Sequence, residues 1–123
     1  MAKSLLRSRL NAFRRQAGLC HYCGVLMWAA DGDSFARKHG LSAKVARWLQ
    51  CTAEHLLARH DGGSDNPANI VAACRVCNMR RHSRRKVAPT PEKYQTLVRN
   101  RVSRKRWHAL QVFERGLIAT SRY

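Results

Sequence analysis

Between Cys51 and Arg85 the chain gathers three histidines, three asparagines, a Gly-Gly pair and a Cys-x-x-Cys motif. The sulfurs are the first to suggest a chemistry. Cys20-x-x-Cys23 and Cys74-x-x-Cys77 can supply four thiolates to one tetrahedral zinc, because a two-residue spacing lets both sulfurs of a pair converge from one tight turn. The long interval between the pairs requires the intervening segment to fold back on itself. Four thiolates fill the coordination sphere, so this zinc is structural and stabilises the fold directly. Free buried thiols are one alternative. A redox Cys-x-x-Cys is another, but that motif is expected beside a βαβ pattern. Cys51 is the spare thiol and reads as a small core residue.

The oxygen and nitrogen donors form a second group: Glu54-His55, Asn69, Asn78 and His82. On a helix Asn78 and His82 lie one turn apart on one face. If that helix packs across a pair of strands, the face looks back at Glu54 and His55. One cleft then holds a carboxylate, an amide oxygen and two imidazoles.

The elements that must position these residues can be read from local signals. Leu5, Leu6, Leu10 and Phe13 recur at helical spacing over residues 4–16, with arginines opposite, and Gly18 ends the run. Residues 33–49 carry a second helical signal, which Gly40 splits and Ser42 can cap. A short strand is expected over Cys51 to Leu57, a loop over His60 to Pro67, and a second strand over Ile70 to Ala73 running into Cys74. A helix then continues to about Arg85. After Pro89, Thr90 or Pro91 opens a last helix over residues 91–114, its apolar face expected to brace the N-terminal helix. The fold class is therefore α+β: a small ββα core stapled by a four-cysteine zinc and flanked by helices. Residues 1–123 form one domain, with an N-terminal helix (1–19), a zinc-braced core (20–86) containing a helical insert (28–49), and a C-terminal basic helix (87–123).

Composition narrows the class of partner. The 24 Lys and Arg outnumber the 7 Asp and Glu, giving a formal charge of +17. Such an excess opposes folding by self-repulsion and makes sense against a polyanion, where phosphate contacts release condensed counterions. DNA is the expected partner, with RNA as the second candidate. No apolar run approaches the ~20 residues needed to span a bilayer, and no signal-peptide layout is present. The cytoplasm is the simplest compartment, and a reducing one favours metal over disulfides for the cysteines.

Taken together, Cys20-x-x-Cys23, Glu54-His55, Gly62-Gly63-Ser64, Asn66-Pro67-x-Asn69-Ile70 and Cys74-x-x-Cys77-Asn78 resemble the HNH endonucleases, the ββα-metal or His-Me finger nucleases, in the variety braced by four cysteines. The resemblance covers residues 20–85; the flanking helices and the insert lie outside it. It implies a metal-dependent endonuclease in which His55 is the general base that activates water, a task suited to an imidazole. It further implies that Glu54, Asn78 and His82 hold one catalytic divalent cation, Mg²⁺ or Mn²⁺ among the candidates, and that Asn69 bridges the loop to orient His55. The cation would stabilise charge on the scissile phosphate and help the 3′-oxygen leave, giving 5′-phosphate and 3′-hydroxyl ends. Glu54 stands where many relatives have Asp, and Arg80 and Arg81 supply charge where relatives often show Lys.

The basic residues around the motif read as a phosphate track rather than a base code. They are Arg59, His60, Arg75, Arg80, Arg81, Arg84, Arg85 and Lys86, with Arg104, Lys105 and Arg106 beside Trp107. His21, His39 and His108 default to surface roles, as does His60 where it touches no phosphate. A homodimer or two sequential nicks would give double-strand cutting. A zinc-stabilised nucleic-acid-binding module on the same fold, without turnover, is the alternative function.

Overall fold

The computed structural model describes residues 3–83 and 87–120. Its elements run α1 (Lys3–Arg15), α2 (Gly32–His39), α3 (Ala43–Trp48), β1 (Cys51–His55), β2 (Ile70–Cys74), α4 (Arg75–Arg81), α5 (Pro91–Ser103) and α6 (Leu110–Glu114). The strands pair antiparallel, with Cys51 opposite Cys74 and His55 opposite Ile70. The fold is thus mixed helix with a small two-stranded antiparallel sheet, as expected for the α+β class.

Both α1 and α4 pack against the two strands. In β1 alternate side chains leave opposite sides, so Thr52 and Glu54 share a side. That side meets α4: Asn78 donates to Thr52 Oγ1, and Arg81 and His82 reach Glu54. From α1, Arg9 donates to the Cys51 carbonyl, and Gln16, just past its end, donates to that of Ala72. The buried line of α1 runs through Leu5 and Ala12, and Leu6 is exposed at 40 %. The apolar stripe is therefore narrower than the leucine spacing suggests.

Caps set the helix limits. Asp31 accepts from Ser34 N at the start of α2, and Gly40 ends it in the left-handed region at φ 65°. Ser42 caps α3 through Val45 N, as expected, and Thr90 caps α5 with Pro91 at its first position. Cys74 caps α4 with its own sulfur, which accepts from Cys77 N at 3.5 Å.

Three expectations are corrected. Strand β1 stops at His55 rather than Leu57, because Leu56 and Leu57 turn to meet Asn69. Helix α4 stops at Arg81 with His82 as its C-cap; Arg84, Arg85 and Lys86 lie outside the described residues. The single helix expected over 91–114 breaks after Ser103, with Lys105 and Trp107 at φ 57° and 85°. No Gly or Pro marks that break, and its cause is tertiary. Trp107 Nε1 donates to Cys77 Sγ, and His108 Nε2 sits 3.3 Å from Cys23 Sγ. Helix α5 buries Tyr94, Val98 and Val102. Its side chains hydrogen-bond to His21 O, Tyr22 O and Cys77 O.

Candidate active site

The four sulfurs come first, since the rest of the site hangs from them. Cys20 and Cys23 lie on the knuckle after α1, Cys74 and Cys77 at the β2–α4 junction. All four are buried, and their Sγ atoms lie within 4.8 Å of one another. A tetrahedral zinc with Zn–S of ~2.3 Å requires sulfurs ~3.8 Å apart, and the Cys23 and Cys74 sulfurs are 3.9 Å apart. Backbone N–H groups of Cys74, Cys77 and Val25 point at Cys20, Cys74 and Cys23 sulfurs. With Trp107 Nε1 they form the outer set of donors that orients thiolate ligands.

Burial opposes ionisation of Cys20, yet hydrogen bonds from Cys23, Cys74 and Cys77 hold its thiol well below the usual range. Burial, followed by hydrogen bonding to the neighbouring sulfurs, pushes Cys23 and Cys77 well above it. A buried divalent ion is what permits all four to be thiolates, so the cluster can hold zinc. Cys51 is buried apart from this cluster, its thiol pushed up to about 11 by burial. His108, expected at the surface, is drawn in by the break after α5, and burial pushes its pKa down to about 4.

Tyr22, between Cys20 and Cys23, links the knuckle to Glu54. Its ring is fully buried and its hydroxyl donates to Glu54 Oε2 at 2.8 Å. Arg81 Nη1 also donates to that oxygen at 2.8 Å. The other oxygen, Oε1, faces His82 Nε2 at 2.8 Å. Glu54 is 1 % exposed, whereas the His82 side chain is 22 % exposed and opens the pair to solvent on one side. Oε1 and Nε2 are joined as a hydrogen bond or ion pair, and two neighbouring ligands of a hard cation at ~2.1 Å would stand at a similar ~3 Å. Among the described residues no third His, Cys, Asp or Glu joins them closely enough to make a larger cluster. Remaining positions would fall to water and substrate oxygens, the usual arrangement for Mg²⁺ at phosphates.

Asn78 donates its Nδ2 to Thr52 Oγ1 and Ala53 O, clamping α4 to β1. Arg81, expected at phosphate, is 4 % exposed. Its guanidinium is used internally, on Glu54, His55 O, Leu56 O and Pro89 O. One residue earlier along α4, Arg80 is exposed, stacks on Trp107 at 4.7 Å and donates to its carbonyl.

His55 ends β1 with its side chain 14 % exposed. The loop back to β2 is held by Asn69, which accepts from Leu57 N and donates to Leu57 O and Ser64 O. Gly62 turns the chain at φ 97°, and a Cβ on Gly63 would stand 1.7 Å from Leu57 O, so only glycine fits there. The loop brings Asp65 Oδ1 to 2.8 Å from His55 Nε2 and 2.8 Å from Arg59 Nη2. Hydrogen bonds from His55, then Arg59, hold the Asp65 carboxyl below the usual range. The His60 ring centroid is 6.2 Å from that of His82, and Arg104, Lys105 and Arg106 are exposed.

Sequence reasoning missed Tyr22, Asp65 and the inner role of Arg81. An aromatic inside a Cys-x-x-Cys knuckle and an acid in an otherwise basic loop were the available signals. Nothing in the sequence separates Arg81 from Arg80.

Residues 38–84 match the family model described as HNH endonuclease. The match covers α3, both strands, the connecting loop and α4, less than half of the chain, and leaves out Cys20 and Cys23. No curated protein and no solved structure matches the chain. The HNH match thus falls on the two strands and α4, and its Cys74 and Cys77 join Cys20 and Cys23 in a cluster positioned to bind a metal.

Proposed function

We propose that the protein is a metal-dependent endonuclease that hydrolyses DNA phosphodiester bonds, with His55 as general base. The observation that carries this reading is the Glu54–His82 pair at 2.8 Å in the HNH-matched segment, with His55 next along the strand. In this reading Glu54 and His82, with Asn78 on the same helix, would hold a divalent cation. When bound, that ion supplies positive charge to the scissile phosphate and the leaving oxygen.

The chain's own residues do the rest. His55 takes a proton from water, Asn69 fixes the loop that carries the His55 partner, and Tyr22 and Arg81 fix the carboxylate. Arg59, His60, Arg75, Arg80, Arg104, Lys105 and Arg106 form the phosphate track, joined in sequence by Arg84, Arg85 and Lys86. A reducing compartment such as the cytoplasm keeps the thiols free for zinc. No helix among the described residues is long and apolar enough to cross a membrane.

A second reading rests on Arg81. Its ion pair with Glu54 satisfies one carboxylate oxygen without any metal, as a zinc-stabilised DNA-binding module without turnover would do. Plasmid nicking with Mg²⁺, Mn²⁺ or no added divalent ion separates the two. Metal-dependent nicking that leaves 5′-phosphate ends is expected of the nuclease. DNA retarded on a gel but uncut under every metal would favour the binding module.

A further inference from the structure

We propose that Asp65 is the positioning residue of His55, the carboxylate that fixes which ring nitrogen is free to accept a proton. This rests on the reading of His55 as general base. The geometry is specific: Asp65 Oδ1 lies 2.8 Å from His55 Nε2, and Arg59 Nη2 closes on the same oxygen at 2.8 Å.

An ionised carboxylate can only accept, so Nε2 carries the hydrogen and donates it to Asp65. The neutral ring then has its lone pair at Nδ1, which makes Nδ1 the proton acceptor. When Nδ1 takes the proton from water, the ring becomes a cation 2.8 Å from a carboxylate. That attraction is strongest as charge develops, so it lowers the barrier more than it strengthens substrate binding.

Asp65 is well placed to keep this role. Its carboxyl stays ionised through its hydrogen bonds with His55 and Arg59. The backbone on either side is fixed: Asn69 donates to Ser64 O, Ser64 Oγ accepts from Asn66 N, and Asn66 Oδ1 accepts from Ala68 N. Arg81 contacts the backbone carbonyl of His55 rather than its ring. Arg59 is 64 % exposed and Asp65 42 % exposed, so replacing Asp65 leaves the core intact.

The test uses the zinc-loaded full chain with Asp65→Asn, Asp65→Ala and Asp65→Glu. Nitrogen-15 NMR of His55, recorded without added divalent ion, should show the Nε2–H tautomer in wild type. In Asp65→Ala the Nδ1–H tautomer should grow, and Asp65→Glu should restore the wild-type pattern in part. In steady-state cleavage, Asp65→Asn should lower kcat ~10²-fold while KM moves less than ~3-fold. An unchanged tautomer in Asp65→Ala would overturn the proposal, and so would wild-type kcat in Asp65→Asn. If wild type fails to cut any DNA, the nuclease reading falls and the tautomer still decides whether Asp65 sets the ring. If wild type cuts through His55 and both Asp65→Asn and Asp65→Ala match it, this proposal alone falls.

Discussion

Arg81→Met is the most informative perturbation of the fold around the site. Arg81 is 4 % exposed and donates to Glu54 Oε2 at 2.8 Å, His55 O at 2.8 Å, Leu56 O at 2.7 Å and Pro89 O at 2.8 Å. Methionine keeps most of the volume and removes every donor. Glu54, at 1 % exposure, is left with Tyr22 and His82 but no paired cation. Breaking a buried ion pair by removing one partner costs ~3–5 kcal/mol, most of it the stranded charge. The three carbonyls are nearer solvent and add at most ~1 kcal/mol each. A loss of at least ~3 kcal/mol, and up to ~8 kcal/mol, is therefore expected in urea unfolding at fixed free zinc. Glu54→Gln in the same background should recover ~2 kcal/mol or more, because the stranded charge is then gone. Arg80→Met, by contrast, should cost under ~1 kcal/mol. The reasoning is refuted if Arg81→Met unfolds within ~1 kcal/mol of wild type and weakens DNA binding as Arg80→Met does. Arg81 would then be a phosphate contact, as its place in a basic run suggests.

Three further outcomes follow from the geometry. Metal analysis should find one zinc held by Cys20, Cys23, Cys74 and Cys77, and Cys74→Ser should lose it together with cooperative unfolding. Gly63→Ala should destabilise by ~2 kcal/mol or more, since its Cβ meets Leu57 O at 1.7 Å and the backbone must move; a melt unchanged from wild type would count against the loop geometry. Asp65 should titrate below 3.8, with its NMR midpoint rising toward that value in His55→Ala, because the His55 hydrogen bond is the largest cause of the lowering. A depressed carboxyl pKa stabilises above the unfolded value, and the contribution is lost as pH falls through the folded value. The His55–Asp65 contact therefore persists through the ordinary carboxylate range and fails only in stronger acid.

The strand–loop–strand–helix order was legible because each boundary has a local cause. Gly62 and Gly63 turn the loop, Asn66-Pro67 starts the return, Ile70 to Ala73 is apolar throughout, and the two Cys pairs must converge. Gly40 and Ser42 marked the split between α2 and α3 for the same reason. What escaped is tertiary. Arg80 and Arg81 are neighbours of one type, and only the helix's packing on β1 sends one to Trp107 and the other beneath Glu54. The break between α5 and α6 has no local signal: residues 103–108 read Ser-Arg-Lys-Arg-Trp-His, and contacts to Cys77 and Cys23 impose positive φ at Lys105 and Trp107. Asn78 Nδ2 finds its acceptors in Thr52 Oγ1 and Ala53 O of β1, a pairing that the spacing along the helix does not specify. Asp65 could not be paired with His55 from sequence, since the loop's path depends on the three hydrogen bonds of Asn69.

The most direct test of the proposed chemistry is single-turnover plasmid cleavage by His55→Ala against wild type, with zinc content and DNA affinity shown to match. Loss of a positioned general base should slow cleavage ~10²–10⁴-fold, with metal dependence retained in whatever activity remains. Cleavage by His55→Ala at the wild-type rate would contradict the assignment of His55 as the base.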